Sequence, residues 1–256
     1  MPVAAVTSVA FALASAAALA WLRLVRRPCV LLGYEVAAPL RGCGGLRNKV
    51  FLVRHGQSEA NVAGVISSDP RVGTVKHTLT ARGEEPARRA GPRIATLLSE
   101  EDRLDVAAGA AAGFLKVVCS DFLRTRRTAE LVAGELGLKG EAVERRTELR
   151  ERFFGTLDGQ SDENYHRCWA FDSHSCLHSE FGCEPVASVV TRAGRLLLEL
   201  DRQFSGCVIV LVAHGDVLQI LRTGFEGKNP PALHRLGEPL QTGAVLRLRV
   251  TGYNEY

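Results

Sequence analysis

From position 50 onward, short apolar runs alternate with longer stretches of mixed apolar and polar residues, the pattern of a parallel sheet with covering helices. Val50 to Val53, Leu115 to Cys119 and Val208 to Ala213 are the strand candidates, the last almost wholly apolar. Ala244 to Val250 alternates apolar residues with Arg247 and Arg249, as an outer strand with one wet face would. The first helix should begin near Arg82 or Gly83, with Pro86 in its opening turn, and run through Ala87 to Leu98. Further helices are predicted over Asp121 to Leu136, Val186 to Phe204 and Val217 to Thr223. Residues 99 to 113 read as a surface connection. Residues 158 to 184 lack periodicity and read as a long loop or short helices over the site. The predicted fold is a three-layer α/β/α sandwich with a mostly parallel central sheet.

The first 48 residues show another pattern. Val3 to Leu22 carries no charge and is succeeded by Arg23, Arg26 and Arg27. A helix of twenty apolar residues crosses a bilayer core of roughly 30 Å, and basic residues on its carboxyl-terminal flank hold the body of the protein on the cytoplasmic side. Residues 3 to 22 are therefore expected to form an apolar N-terminal helix that anchors the protein to a membrane. A transit peptide for mitochondrion or plastid is the alternative, because the first acidic residue is Glu35. A cleaved secretory signal also stays open: Ala18-Leu19-Ala20 resembles a cleavage site, although no basic residue precedes the apolar run. Residues 28 to 48, with Pro28, Pro39 and the Gly42 to Gly45 cluster, read as a linker. The expected division is 1 to 27 as anchor or targeting segment, 28 to 48 as linker, and 49 to 256 as the catalytic domain.

Charge removes one class of partner. The formal net charge of +4 resides in the first 48 residues, where five arginines face Glu35 alone; the other 208 residues carry 27 basic and 27 acidic side chains. Nucleic acid is not expected as a partner, since its recognition needs a basic stripe. Seven cysteines is an odd count in a chain too long to need disulfide staples, which favours a reducing compartment, although Cys29, Cys43, Cys168, Cys176 and Cys183 stay open to pairing.

The ends of the predicted elements hold the candidate chemistry. A strand over Val50 to Val53 lifts Arg54 and His55 out at its carboxyl end, where ligands bind in open α/β sheets. Gly56 lets the backbone turn and approach a ligand, and Gln57 to Asn61 offers donors. The natural guest is a phosphate; the alternative is a hydrogen-bonded structural histidine. In the second stretch Ser120 or Asp121 can cap a helix that sets Arg124 one turn in, while Arg126 and Arg127 read as a solvated face. Glu151 stands beside Phe153 and Phe154, paired with a neighbouring arginine in its structural reading. His214-Gly215 repeats the opening pattern behind a buried strand.

Together these stretches resemble the histidine phosphatase superfamily, or phosphoglycerate mutase-like family, over about residues 49 to 251. Arg54-His55-Gly56, Ser120 through Ala129, Leu149-x-Glu151 running to Gly155 and Gly159, and His214-Gly215 occur in the family's order. The resemblance implies a phosphatase in which His55 is phosphorylated, Arg54, Arg124 and His214 bind the phosphoryl group, and Glu151 donates the proton. Asn61 matches a phosphate contact, and Glu184 stands where the family often has Gly-Glu-Ser. Pro86 replaces the usual glutamine of the early helix. The chemistry is sensible in itself: a neutral imidazole attacks a dianion more readily than an anion does, and two arginines with a protonated His214 neutralise the equatorial oxygens. Desolvation and nearby negative charge should raise the pKa of Glu151 enough for it to act as an acid.

A small phosphorylated substrate is implied, with no cofactor and no metal. Two alternatives remain: a 2,3-bisphosphoglycerate-dependent phosphoglycerate mutase, and a catalytically silent member that binds a protein partner. Mutases of the family typically carry a longer segment after the acid loop and an asparagine where Asp216 stands; the intact residue set argues against silence. His166, Cys168, His174, Cys176, His178 and Cys183 invite a zinc reading, but their spacings fit no familiar ligand dyads. Trp169 and Phe171 read as packed lid anchors.

Overall fold

Alternation along the first strand sorts the chain into layers. The computed structural model describes residues 45–138, 142–227, 229 and 231–250. Its strands are β1 (Lys49–Arg54), β2 (Leu115–Cys119), β3 (Val143–Arg145), β4 (Val208–Ala213) and β5 (Val245–Leu248). The longer helices are α1 (Ala81–Asp102), α2 (Leu123–Glu135), α3 (Tyr165–Asp172), α4 (Val186–Gln203) and α5 (Gly215–Glu226). Successive strand side chains leave opposite faces. Val50 and Leu52 accordingly pack with residues of α4 and α5, whereas Phe51 and Val53 pack with Ala90, Ile94 and Leu98 of α1 and Ala129, Val132 and Ala133 of α2. Both faces of the sheet are thus covered by helices, and β4 is buried along its whole length.

The five strands lie in the order β3-β2-β4-β1-β5. The first four are parallel, and β5 closes the edge antiparallel to β1, giving a mixed sheet. At this edge Arg247 of β5 bridges Asp102 at the end of α1 at 2.8 Å, and the exposed Arg249 just beyond β5 bridges Glu101 at 2.9 Å.

Several local expectations are corrected. Helix α1 starts at Ala81 behind a Thr80 cap that accepts the Gly83 N–H at 3.0 Å, so Pro86 and Pro92 both lie inside it rather than in its opening turn. Each removes one backbone hydrogen bond, while the buried Ala87, Ala90, Ile94 and Leu98 hold the helix on its neighbours. Helix continues to Asp102, and Val106–Ala111 forms another turn and a half where a connection was expected. The N-cap of α2 is Phe122, with no side-chain cap. Asp121 binds Arg150 at 2.6 Å and Ser120 Oγ meets His214, so both candidate caps are used elsewhere. The predicted linker is docked at its end, where Asn48 is buried and bonded to Asp201 and to the Cys207 N–H.

The N-terminal apolar helix over residues 3 to 22, with the membrane contact assigned to it, lies outside the described residues. Membrane anchoring itself is corrected: among the described residues no helix is long and apolar enough to cross a membrane.

Candidate active site

Parallel register brings the two histidine stretches together. Arg54 pairs with Ala213 across β1 and β4, so His55 and His214 are the next residues beyond the paired ends. Their rings stand edge-on with centroids 5.3 Å apart. Arg124 Nε donates to His55 Nε2 at 3.3 Å. A guanidinium only donates, so Nε2 carries a lone pair and the proton sits on Nδ1, which donates to Gly56 O at 2.7 Å. Burial, helped by Arg124 and Arg54, holds His55 well below the usual histidine range, which keeps the ring neutral.

Around that nitrogen are polar atoms without partners. Arg124 is held by Ser67 O at 2.8 Å through Nη2, yet its Nη1 is buried and unbonded. Arg54 donates through Nη1 to Leu240 O, leaving Nε buried and unbonded. His214 meets Ser120 Oγ through Nε2 at 3.1 Å, while its Nδ1 is buried without a hydrogen bond, 3.9 Å from Glu151 Oε2. The expected protonated His214 is corrected, because burial and then Arg124 and His55 hold it well below its ordinary value. A bound dianion would act in the opposite sense.

Glu151 behaves as its surroundings demand. Burial first, and then the charge of Asp216, push its carboxyl up to about 7, against the opposing pull of Arg124 and Arg54. Asn61 lines the same cavity, and its Oδ1 accepts from Ser58 N at 3.0 Å as half of a capping box on the short helix Glu59–Ala63. Glu184 does not join the site. It binds Arg192 at 2.8 Å and Ser188 at 2.7 Å, which fastens the lid's end to α4.

Two glycines explain how close the parts come. A Cβ on Gly56 would fall 2.1 Å from Gly83 O, so this glycine serves the packing of the β1 end on α1 and not approach to a ligand. Gly215 serves the site instead: a Cβ there would lie 3.1 Å from Arg54 Nε, crowding the unbonded donor.

Arg54, His55, Asn61, Arg124 and Glu151 line one cavity of about 220 Å³ at the carboxyl ends of the parallel strands. Tyr165, Trp169, Asp216 and Arg235 are also among its walls. Sequence reasoning assigned none of these four to the site. Trp169, expected as a lid anchor, does stack on Tyr165 with planes 8° apart, but it also faces the cavity. Phe171, the other expected anchor, is 40% exposed.

The Cys/His-rich lid gathers Cys168, Asp172 and His178 with ligand atoms within 4.8 Å. Arg152 already grips both oxygens of Asp172, at 2.7 and 2.8 Å. Although burial opposes it, Asp172 raises His178 to about 9, making it a cation at neutral pH. The cluster is therefore an ion network already balanced by cations, which does not suit a zinc ion. His166 and His174 are exposed and bonded to backbone carbonyls of Glu163 and Ala170.

The chain is 29% identical over 206 residues to a 2,3-bisphosphoglycerate-dependent phosphoglycerate mutase of Xanthobacter autotrophicus, a match covering 77% of this chain and 89% of the relative. It is 30% identical over 183 residues to the adenosylcobalamin/alpha-ribazole phosphatase of Salmonella typhimurium, covering 68% and 77%. Its fold is similar to that of a mycobacterial glucosyl-3-phosphoglycerate phosphatase solved with VO3, with a TM-score of 0.59 at 22% identity over 77% of this chain and 89% of that one. The family model for the histidine phosphatase superfamily, branch 1, matches residues 50–255. The chain belongs to the histidine phosphatase superfamily.

Proposed function

We propose that this chain hydrolyses phosphomonoesters of small molecules through a phosphohistidine at His55. One observation carries the reading: Arg54 Nε, Arg124 Nη1 and His214 Nδ1 are buried without partners around the neutral His55. Each such group costs about 1–3 kcal/mol while unsatisfied, and a phosphoryl group is the guest whose oxygens satisfy them together.

In the proposed sequence His55 Nε2 attacks phosphorus while the bond to the leaving oxygen breaks, and Glu151 gives that oxygen its proton. Arg54, Arg124 and His214 hold the equatorial oxygens as charge spreads over them. Water then attacks the phosphohistidine, losing a proton to the Glu151 carboxylate. The P–N bond breaks, the lone pair returns to Nε2, and inorganic phosphate leaves. Asn61 is a further contact to the phosphate. No step calls for a metal.

An alkaline detergent quench of a reaction run in EDTA should trap phosphate on nitrogen, labile to acid and stable to base. A strict requirement for metal, or no trapped phosphate during turnover, would refute the mechanism. The mutase reading has its own support in the mutases among the relatives; Asp216 and the short lid favour water as acceptor. Phosphate transfer to monophosphoglycerate exceeding release to water would favour the mutase.

Glu151 sets the pH profile. Its raised pKa keeps the carboxyl protonated below about 7 and charged above it, so kcat/KM for alkyl phosphates is expected to fall as pH rises through about 7. His55, lowered, stays a neutral nucleophile across that range. Glu151→Gln should lower kcat/KM, which reports the first transfer, on the order of a hundredfold or more for alkyl phosphates and far less for an activated aryl phosphate, and flatten the alkaline limb. An unchanged limb in that variant would remove Glu151 from the role.

A further inference from the structure

Strand register places a hydroxyl behind the second histidine. Cys119 pairs with Val212 across β2 and β4, and the next residue, Ser120, donates its backbone N–H to Val212 O at 3.1 Å. Thr125 Oγ1 holds the Ser120 carbonyl at 2.9 Å. Ser120 Oγ is thereby brought to 3.1 Å from His214 Nε2, and both residues are 0% exposed. The imidazole plane is confined as well, with the Phe122 ring edge-on at 5.1 Å and the His55 ring at 5.3 Å. Burial, Arg124 and His55 keep the ring neutral. With plane and charge fixed, one question is left: which nitrogen carries the proton.

Hydrogen-bond accounting answers it. Ser120 Oγ accepts the Phe122 N–H at 3.4 Å, so the hydroxyl hydrogen needs an acceptor of its own. Of the two groups bonded to Oγ, the Phe122 N–H and His214 Nε2, only the nitrogen can accept. A hydroxyl donating to Nε2 requires a lone pair there, which leaves the ring proton on Nδ1. The opposite tautomer strands the hydroxyl hydrogen in a buried site and turns a lone pair at Nδ1 toward an anionic guest. Glu151 does not decide the matter, because its Oε2 stands 3.9 Å from Nδ1, beyond hydrogen-bond reach. Nδ1 is the buried ring atom without a partner, and as an N–H it is a donor waiting for an oxygen.

We propose that Ser120 is a positioning residue that fixes His214 as the Nδ1–H tautomer, so that the neutral ring donates to a phosphoryl oxygen without first gaining a proton. The identity of the guest rests on the phosphatase reading of the cavity, whereas the tautomer is measured with neither ligand nor turnover. Ser120 touches no part of the substrate in this role. Its loss should therefore weaken the hold on the phosphoryl group equally for every leaving group, unlike the loss of Glu151.

Long-range proton–nitrogen NMR of the full chain separates ring nitrogens that carry a proton from those that carry a lone pair, and His214→Gln identifies the His214 signals by their disappearance. The expected result is a protonated Nδ1 and a bare Nε2, in the free chain and in chain saturated with inorganic phosphate. Ser120→Ala should mix the two tautomers and weaken inorganic phosphate about 5- to 20-fold by calorimetry, the scale of one hydrogen bond to a charged group. Its kcat/KM should fall by a similar factor for alkyl and activated aryl phosphates. Ser120→Thr, which returns the hydroxyl, should restore the Nδ1–H signature. Thermal melts establish that each variant is folded. A proton on Nε2 in the parent chain, free or with phosphate bound, overturns the proposal. So does an unmixed tautomer or an undiminished phosphate affinity in Ser120→Ala. Failure to trap phosphate on His55 would overturn the hydrolytic mechanism and leave the tautomer to these spectra.

Discussion

His55→Ala is expected to lower turnover of every phosphomonoester, activated or not, by about four orders of magnitude or more, the scale seen when a covalent nucleophile is removed. The loss should be indifferent to leaving group because no other group in the cavity replaces Nε2: Arg124 and Arg54 are cationic, and His214, with Nε2 engaged by Ser120, is assigned to hold a phosphoryl oxygen through Nδ1. Acid-labile phosphate should disappear with the activity. The variant also leaves a space the size of a ring beside Arg124, so added imidazole should restore part of the rate. Rapid-quench measurements of both variant and rescue decide the point; a His55→Ala enzyme within tenfold of the parent would end the phosphohistidine reading.

The largest effect on stability is expected at Arg152, which is 0% exposed and the largest fully buried side chain among the described residues. Its guanidinium grips Asp172 in α3, reaches Asp216 in α5 at 3.3 Å, and donates through Nε to Glu184 O at 2.7 Å. One side chain thereby joins the segment after Glu151 to the lid and to the helix behind His214. Arg152→Met keeps much of the volume but leaves the buried Asp172 and Asp216 to His178 and His234 alone, and breaking a buried pair costs about 3–5 kcal/mol. Urea unfolding should show this as a lower midpoint at an unchanged slope. Adding Asp172→Leu should return part of the loss, since one stranded charge is then gone. A loss below about 1 kcal/mol would mean that water reaches the network in solution.

Legibility in the sequence tracked locality. Leu115–Cys119 and Val208–Ala213 could be bounded by eye because apolar runs that short, between polar residues, have little else to form. The five residues His55, Arg54, Arg124, Glu151 and His214 lie in stretches whose order and spacing are distinctive, and the register of β1 on β4 brings Arg54 and His55 beside His214. Arg235 and Trp169 were beyond reach for a physical reason: both sit in segments without periodicity, and their contact joins positions 66 residues apart by cation–π stacking, which leaves no local pattern. The caps of α2 were misjudged on the same ground. Ser120 and Asp121 have the right chemistry for a cap, but His214 and Arg150, each far along the chain, claim them first. Pro86 misled because the packing of α1 outweighs one lost hydrogen bond, and only tertiary context reveals that.

The position of β1 in the sheet also sets a timetable for synthesis. Its two neighbours are β4 and β5, which begin at Val208 and Val245, so both edges of the most apolar early strand emerge from the ribosome unpaired. At roughly 5–20 residues per second, the last partner arrives after roughly 10–40 s. For that interval Phe51, Leu52 and Val53 form an exposed template for foreign strands, and Arg54 awaits the Leu240 carbonyl that later holds it. A chain arrested before β5 would thus display an open sheet edge and an incomplete anion cradle.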